Sequence, residues 1–352
     1  MPSLKKNFPV LLMEWFRENK RELPWRATRD PYHIWVSEVI LQQTRVDQGT
    51  AYYHAFIKRF PTVNHLARAT EATVLRVWQG LGYYSRARNM HRCAQTVVQH
   101  HDGKFPETVE GLIKLPGVGD YTAAAVASIC HNAPAAVVDG NVFRVLSRIF
   151  GVETPINTPA GKKEFGLLAN SLLPESNSGE YNQAVMEFGA LHCTPRNPKC
   201  DECPFRSACV ARVRNLQGQL PAKIAPRPRK TRYLYYLVIR SGKKTAMRRR
   251  AAGDIWEGLH DFPYVESAVP LRSGVLLKKL SALAGFPVKP MAISQVKHQL
   301  THQQLLAEFH LATVSGDSGL PDGACFYTMS RISRLAKPVH IARFVASLDK
   351  LP

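Results

Sequence analysis

The chain of 352 residues is 45% hydrophobic, enough for two or three domains with real cores. Lys and Arg number 47 against 27 Asp and Glu, a net charge of +20 that favours polyanionic partners, although a merely soluble basic protein has the same balance. No apolar run approaches ~20 residues and no basic amphipathic helix stands apart, which argues against a membrane partner.

The N-terminal stretch shows no leader pattern, since Glu14, Glu18 and Glu22 interrupt it. A cytoplasmic protein is expected, or a nuclear one if the source is eukaryotic. Residues 4 to 19 have helical spacing, with Phe8, Leu11, Leu12, Trp15 and Phe16 on one face. A loop follows with Trp25 and Arg26, and Asp30-Pro31 then opens a helix as N-cap and first residue. On that helix Glu38 has Ile34, Trp35 and Leu41 as neighbours, so its carboxyl lies on an apolar face. Uncompensated burial would let it keep a proton near neutral pH, whereas an Arg or backbone partner would make it structural. The helix tail Gln42-Gln43-Thr44 supplies amides and a hydroxyl suited to base edges and phosphate.

After Gly80-Leu81-Gly82 come Tyr83, Tyr84, Arg86 and Arg88, two aromatics and two cations. They suit a stacking wedge with phosphate contacts, or equally an ordinary surface helix with core tyrosines. Leu115-Pro116-Gly117-Val118-Gly119 then reads as a tight turn between two helices, the second carrying Ala123 to Ala127. Gly117 and Gly119 both permit positive φ, and the first amides of the second helix suit a phosphate oxygen. A helix-hairpin-helix grips DNA backbone in this way, while a plain Pro-Gly turn fits the same residues. Asp139, after two apolar valines, precedes a helix with Val142, Val145, Leu146 and Ile149 in register. By itself it could be only an N-cap.

Four of seven cysteines fall together as Cys193-x6-Cys200-x2-Cys203-x5-Cys209, which in a reducing compartment reads as a metal site. Closed zinc sites usually pair two short knuckles, and only one exists here. Arg196 and Lys199 within the loop offer cations to phosphate. Residues 217–232 are Pro-rich and basic and read as a solvated linker. Beyond it the pattern turns to strands: an apolar run at 233–239, a return at 243–250, and a hairpin over 295–314 whose loop holds Thr301, His302 and Gln303. His298 and His302 lack other donors and are not expected to hold metal.

The hairpin with Asp139 at this distance resembles the endonuclease III superfamily of DNA glycosylases. With Ser37-Glu38-Val39-Ile40-Leu41-Gln42-Gln43-Thr44, Gly82-Tyr83-Tyr84, Asp139-Gly140-Asn141 and the four cysteines, nearly the whole chain resembles its MutY-type adenine glycosylase family. Residues 253–263 further resemble the opening of a Nudix-like domain without the acidic helix that holds Mg²⁺, so that domain should bind and not hydrolyse. The resemblance implies a multidomain fold. An all-α helix-hairpin-helix glycosylase region would span 1–216, with a six-helix lobe at about 23–134 and a cluster lobe from 1–22 plus 135–216. The linker 217–232 and an α+β Nudix-like domain at 233–352 would follow.

The same resemblance implies a [4Fe–4S] cluster on Cys193, Cys200, Cys203 and Cys209. The implied partner is double-stranded DNA with adenine opposite 8-oxoguanine or guanine, met by a monomer. It also implies a monofunctional excision, because relatives that nick the strand carry lysine where this chain has Tyr121. Glu38 would be the acid and Asp139 the group facing the sugar cation, oriented by Asn141, with Tyr121 at the sugar. Trp25, Arg26 and Glu187 would contact the extruded adenine. Gln42, Gln43, Thr44, Tyr83, Arg86, Arg88, Gly117, Val118, Gly119, Arg196 and Lys199 would meet DNA. Leu300, Thr301 and His302 stand where the family has Phe-Ser-His and would read 8-oxoguanine, without the stacking ring. Two rivals remain: a pyrimidine glycosylase of the endonuclease III type, and a non-catalytic iron-sulfur DNA-binding protein.

Overall fold

A computed structural model describes residues 2–225, 228–289, 291–300, 302–316 and 320–348. Thr301, the central residue of the expected lesion-reading loop, lies outside them. The chain divides into two compact units, one of residues 1–68 and 92–225, the other of residues 69–91 and 226–352.

The first unit is helical. It contains α1 (Pro2–Asn19), α2 (Pro31–Leu41), α3 (Val46–Arg59) and α4 (Val63–Arg68). The chain leaves it for α5 (Glu71–Val77) and returns within α6 (Ser85–His100). α7 (Val109–Ile113), α8 (Asp120–His131), α9 (Gly140–Phe150), α10 (Pro159–Ser171), α11 (Ser178–Leu191) and α12 (Val210–Val213) complete it. Asp30 caps α2 through Tyr32 N, with Pro31 at the first helical position, as its sequence predicts. The apolar stripe of α1, with Phe8 and Leu12 fully buried, packs on Val145 and Leu146 of α9 and on Ala184 and Phe188 of α11. Truncating a ring such as Phe8 to alanine would cost about 3–5 kcal/mol.

The hairpin between α7 and α8 differs from its sequence reading at one glycine. Gly117 sits at φ +74°, but Gly119 is an extended N-cap at φ −99°. What Gly119 provides is open space: an added Cβ would meet nothing within 4 Å, and no side chain caps α8.

The second unit is built on one mixed sheet in the order β3-β2-β1-β6-β5. Its strands are β1 (Lys230–Ser241), β2 (Lys244–Arg249), β3 (His260–Asp261), β4 (Tyr264–Ser267), β5 (Met291–Gln299), β6 (Gln303–Thr313) and β7 (Ala324–Thr328). β4 pairs with β1 and β7 with β2. β1 runs parallel to β6, and the remaining pairs are antiparallel. Being central, β1 is buried on both faces from Tyr235 to Ile239, hence its unbroken apolar run. α13 (Ser273–Ala284) packs Leu276 and Leu280 against Leu237 and Ile239, and α14 (Met329–Arg334) and α15 (Val339–Leu348) follow. α13 carries Lys278 and Lys279 and no acid.

The expected solvated linker is shorter than its composition suggests. Leu220 is buried in the first unit, Ile156 N donates to Ala222 O, and Asn157 brackets Ile224 with two hydrogen bonds. Residues 217–225 therefore belong to the first unit. Among the described residues no helix is long and apolar enough to cross a membrane.

Candidate active site and cluster loop

In the first unit α2, α8, α9 and α11 surround a cavity of about 170 Å³. Trp25, Arg26, Glu38, Thr44, Tyr121, Asp139, Asn141 and Glu187, all singled out from sequence, line it together. Glu38 projects from the apolar face of α2 and is 6% exposed. Burial pushes its carboxyl up to about 7; the Tyr121 hydrogen bond at 2.5 Å opposes that, and the charge of Asp139 adds to it. A carboxyl in this state can give up a proton at neutral pH.

Asp139 has a different setting. It caps α9, and its Oδ1 accepts from Asn141 N at 2.9 Å and Val142 N at 2.8 Å. Its Oδ2 accepts from Asn141 Nδ2 at 2.8 Å. Burial raises its pKa, while these three donors and Arg144 work the other way by stabilising the anion. The cap therefore also sets this carboxylate in the wall of the cavity. Asn141 is itself held: Arg144 Nη2 donates to Asn141 Oδ1 at 2.8 Å and to Gly189 O at 2.6 Å, and Arg144 Nε donates to Cys193 O at 2.7 Å. Gly189 is needed there, because a Cβ would lie 2.6 Å from that of Asn141. The backbone of Cys193 is thus two side chains away from Asp139.

Glu187 is 2% exposed and bound to two arginines. Arg21 reaches it at 2.6 Å and Arg26 at 3.0 Å. Against the cost of burial these cations hold its carboxyl down to about 2. It is a fixed anion that orients Arg26, whose Nε also donates to Gln183 Oε1 at 3.1 Å. Trp25 stacks edge-on against Tyr53 at 5.4 Å. Arg21, Gln183, Met186 and Arg144 escaped sequence reasoning. Arg21 lies in a charged Lys-Arg-Glu run that looks solvated, and its partner is 166 residues away.

Of the expected DNA contacts in this unit, Gln43 is exposed at φ +58° just past α2, while Gln42 Nε2 donates to Thr122 Oγ1 at 3.3 Å. Gly117 and Gly119 are exposed, but the Val118 side chain is buried, leaving only its backbone for a ligand. Arg196 and Lys199 are exposed.

Cys193, Cys200, Cys203 and Cys209 line one cavity with Arg148, His192 and Gln217. Burial pushes the Cys203 thiol up to about 12 and those of Cys193 and Cys209 upward, so thiolates there need a cationic ligand. Among the described residues no three His, Cys, Asp or Glu converge on a single ion. Four sulfurs around a shared void suit a polynuclear cluster better than one zinc. Arg148, 3% exposed, ties the loop down. It donates to Cys193 Sγ at 3.6 Å, Thr194 O at 2.7 Å, Pro195 O at 3.1 Å, Gln217 O at 2.6 Å and Leu220 O at 3.1 Å.

In the second unit Tyr83, Arg88, Leu300 and His302 line a cavity of about 430 Å³ with Trp256. Tyr83 is 44% exposed at φ +45°. Arg88 is engaged by Glu257, at 2.8 Å to its carbonyl and 3.3 Å to its carboxylate, and Arg86 lies over the rings of Trp78 and Tyr83. Trp256, which sequence reasoning passed over, holds φ +65°, rare for a bulky side chain, and packs against His298 and His340. Its loop is anchored by Asp254, paired with Arg232 and Arg250.

A helical unit with a hairpin, a buried and a half-buried acid lining one cavity and a four-cysteine loop defines a base-excision DNA glycosylase. The profile of the HhH-GPD superfamily of base excision DNA repair proteins matches residues 36–166. The iron-sulfur binding domain of endonuclease III matches residues 193–209, and a NUDIX domain matches residues 235–347. The adenine DNA glycosylase of Buchnera aphidicola subsp. Baizongia pistaciae is 33% identical over 304 residues, covering 85% of this chain and 84% of that protein. The human adenine DNA glycosylase is 44% identical over 221 residues, covering 60% and 40%. A thermostable thymine-DNA glycosylase structure superposes with a TM-score of 0.56 at 29% identity, over 60% of this chain and 98% of its own. An endonuclease III–DNA complex shares the fold with a TM-score of 0.52 at 21% identity, over the same shares. The chain belongs to the adenine DNA glycosylase family, hydrolases of the N-glycosidic bond with a [4Fe–4S] cluster.

Proposed function

We propose that the chain excises adenine mispaired with 8-oxoguanine or guanine, without nicking the strand, and leaves an abasic site. The observation that carries this reading is one cavity holding two acids in opposed settings, buried Glu38 with a single phenol donor and half-buried Asp139 with three donors.

The extruded adenosine enters this cavity at a cost of a few kcal/mol for unstacking. Glu38, protonated, gives its proton to N7 of the base. The C1′–N9 bond then breaks, its electron pair leaving with the neutralised adenine. The Asp139 carboxylate faces the sugar cation, stabilising it or bonding to it briefly, as in retaining glycosidases. Water adds at C1′ and loses its proton to the carboxylate that Glu38 has become. Asn141 orients Asp139, Arg144 orients Asn141, and Arg26, fixed by Glu187, borders the base. Tyr121 supplies no amine for a Schiff base, so strand cleavage is not part of the reaction. A cluster bound by Cys193, Cys200, Cys203 and Cys209 supplies a rigid crosslink that presents Arg196 and Lys199 to phosphate.

Residues 233–352 are proposed as the lesion-reading domain. Leu300, Thr301 and His302 meet the base opposite adenine, and Tyr83 fills the stack beside it. The test is single-turnover adenine release from duplexes with A opposite 8-oxoguanine, G, C and T. Release confined to the first two duplexes, with intact strands until alkali, is the expected result. Equal release from all four, or strand cleavage without alkali, contradicts it.

A further inference from the structure

The far wall of the adenine pocket is shared with a neighbouring cavity. A second cavity of about 710 Å³ shares Arg21, Leu23, Arg26, Ile129 and Gln183 with it. The two cavities follow the same pair of helices in order. Along α8, Tyr121 lines only the pocket, Ile129 lines both, and the C-cap Asn132 lines only the larger cavity. Along α11, which runs the other way, Ala190 and Glu187 line the pocket, Gln183 both, and Glu180 only the larger cavity. Tyr121 and Asn132 are separated by roughly 16 Å at the helical rise. The larger cavity therefore opens at the end of α8 remote from the hairpin.

With DNA backbone gripped at the hairpin, as the proposed function has it, an abasic strand still in place would block the mouth at that end. We propose that the larger cavity is a rear outlet that takes the freed, uncharged purine base while product DNA remains bound; this rests on the pocket being the site of adenine excision. The gate is the contact between Arg26 and Gln183, with Leu23 and Ile129 beside it. Arg26 is anchored on Glu187 by two further nitrogens, so Gln183, held to it by a single bond at 3.1 Å, is the half that can swing. Of the four cations that line the outlet, Lys20 is paired with Glu180 at 3.9 Å and Arg21 and Arg26 with Glu187, while Phe16 with Ile129 gives apolar wall for the face of a purine.

The test uses the full chain in excess over a duplex carrying radiolabelled adenine. Each time point is divided. One part is acid-quenched, giving total base cleaved, and the other passes a filter that retains protein and DNA, giving free base. In the parent the two curves should coincide while abasic duplex stays in the retentate. Ala27→Trp and Thr28→Phe change residues that line only the outlet. In each the quench curve should match the parent within about twofold, and the filtrate curve should lag by about tenfold, because release and not chemistry is obstructed. Filtrate curves that match the parent in both variants overturn the outlet. So does a parent whose free base appears only as abasic duplex dissociates. A parent quench curve showing no cleaved adenine overturns the excision reading itself, a different result from either.

Discussion

The Tyr121 hydroxyl donates to Glu38 Oε2 at 2.5 Å, so the acid proposed to protonate adenine is itself restrained by a phenol. Burial holds Glu38 at about 7, and the phenol opposes that shift by favouring the carboxylate.

A pH dependence follows. The single-turnover rate should fall as pH rises past about 7, since the proton to be donated is lost, approaching tenfold per unit. Tyr121→Phe removes the donor that stabilises the anion, and should move that limb to higher pH. Stability follows the same group: its folded pKa lies above the ordinary 4.5, so the native state binds more protons between about 4.5 and about 7. Stability from this site is present below 4.5 and is lost as pH rises through that window. Glu38→Gln should gain melting temperature relative to the parent over the same range, measured by thermal melts. A pH-independent rate from 5 to 9 would contradict the role of Glu38.

Tyr121→Lys places an amine beside the sugar site. It should introduce strand nicking and a borohydride-trapped adduct that the parent lacks. Denaturing gels with and without alkali measure this; a parent that nicks unaided contradicts the monofunctional reading.

Glu187 is the counter-charge for Arg21 and Arg26. Its folded pKa of about 2 lies below 4.5, so its contribution is present above 4.5 and lost as pH falls toward 2. Glu187→Gln leaves the arginines underneutralised and should cost on the order of 2–4 kcal/mol at pH 7, toward the low end because Arg21 is partly solvated. Chemical denaturation with parallel melts at pH 7 and 3 checks it, the difference shrinking at the lower pH.

Purified protein should be brown with about four irons per chain. Arg148→Ala removes donors to Cys193 Sγ and four carbonyls, and should lower iron retained after gel filtration several-fold. Iron analysis and the visible absorption band read this directly.

How far the sequence was legible follows the range of the interactions. The burial of Glu38 could be read because its apolar neighbours lie one helical turn away, and the cap at Asp139 because a cap and a helix register are local, whereas a role for Asp139 beyond capping came only with the family resemblance. Gly117 and the cysteine loop were legible for the same reason. Arg21 and Arg144 were not, since nothing near them in sequence shows Glu187 or the Cys193 carbonyl. The grouping of residues 69–91 with the C-terminal strands was equally hidden: Tyr84 donates to Lys337 O at 3.2 Å and Arg249 pairs with Glu71 at 2.9 Å, contacts with no local signature.

That grouping bears on lesion reading. Removing the C-terminal residues would also uncover the segment that carries Tyr83, so point changes are the cleaner probe. Thr301→Val with His302→Ala should narrow the preference for A opposite 8-oxoguanine over A opposite G by about tenfold, while adenine cleavage is retained. A competition between the two duplexes at fixed salt measures it, and an unchanged ratio contradicts the assignment.

The most direct test of the two-acid account is single-turnover adenine release by Glu38→Gln and Asp139→Asn, with duplex binding measured in parallel. Each variant should lose at least about 10²–10⁴-fold in rate while its affinity for the mispaired duplex stays near that of the parent. A rate within about threefold of the parent for either variant would remove that residue from the chemistry.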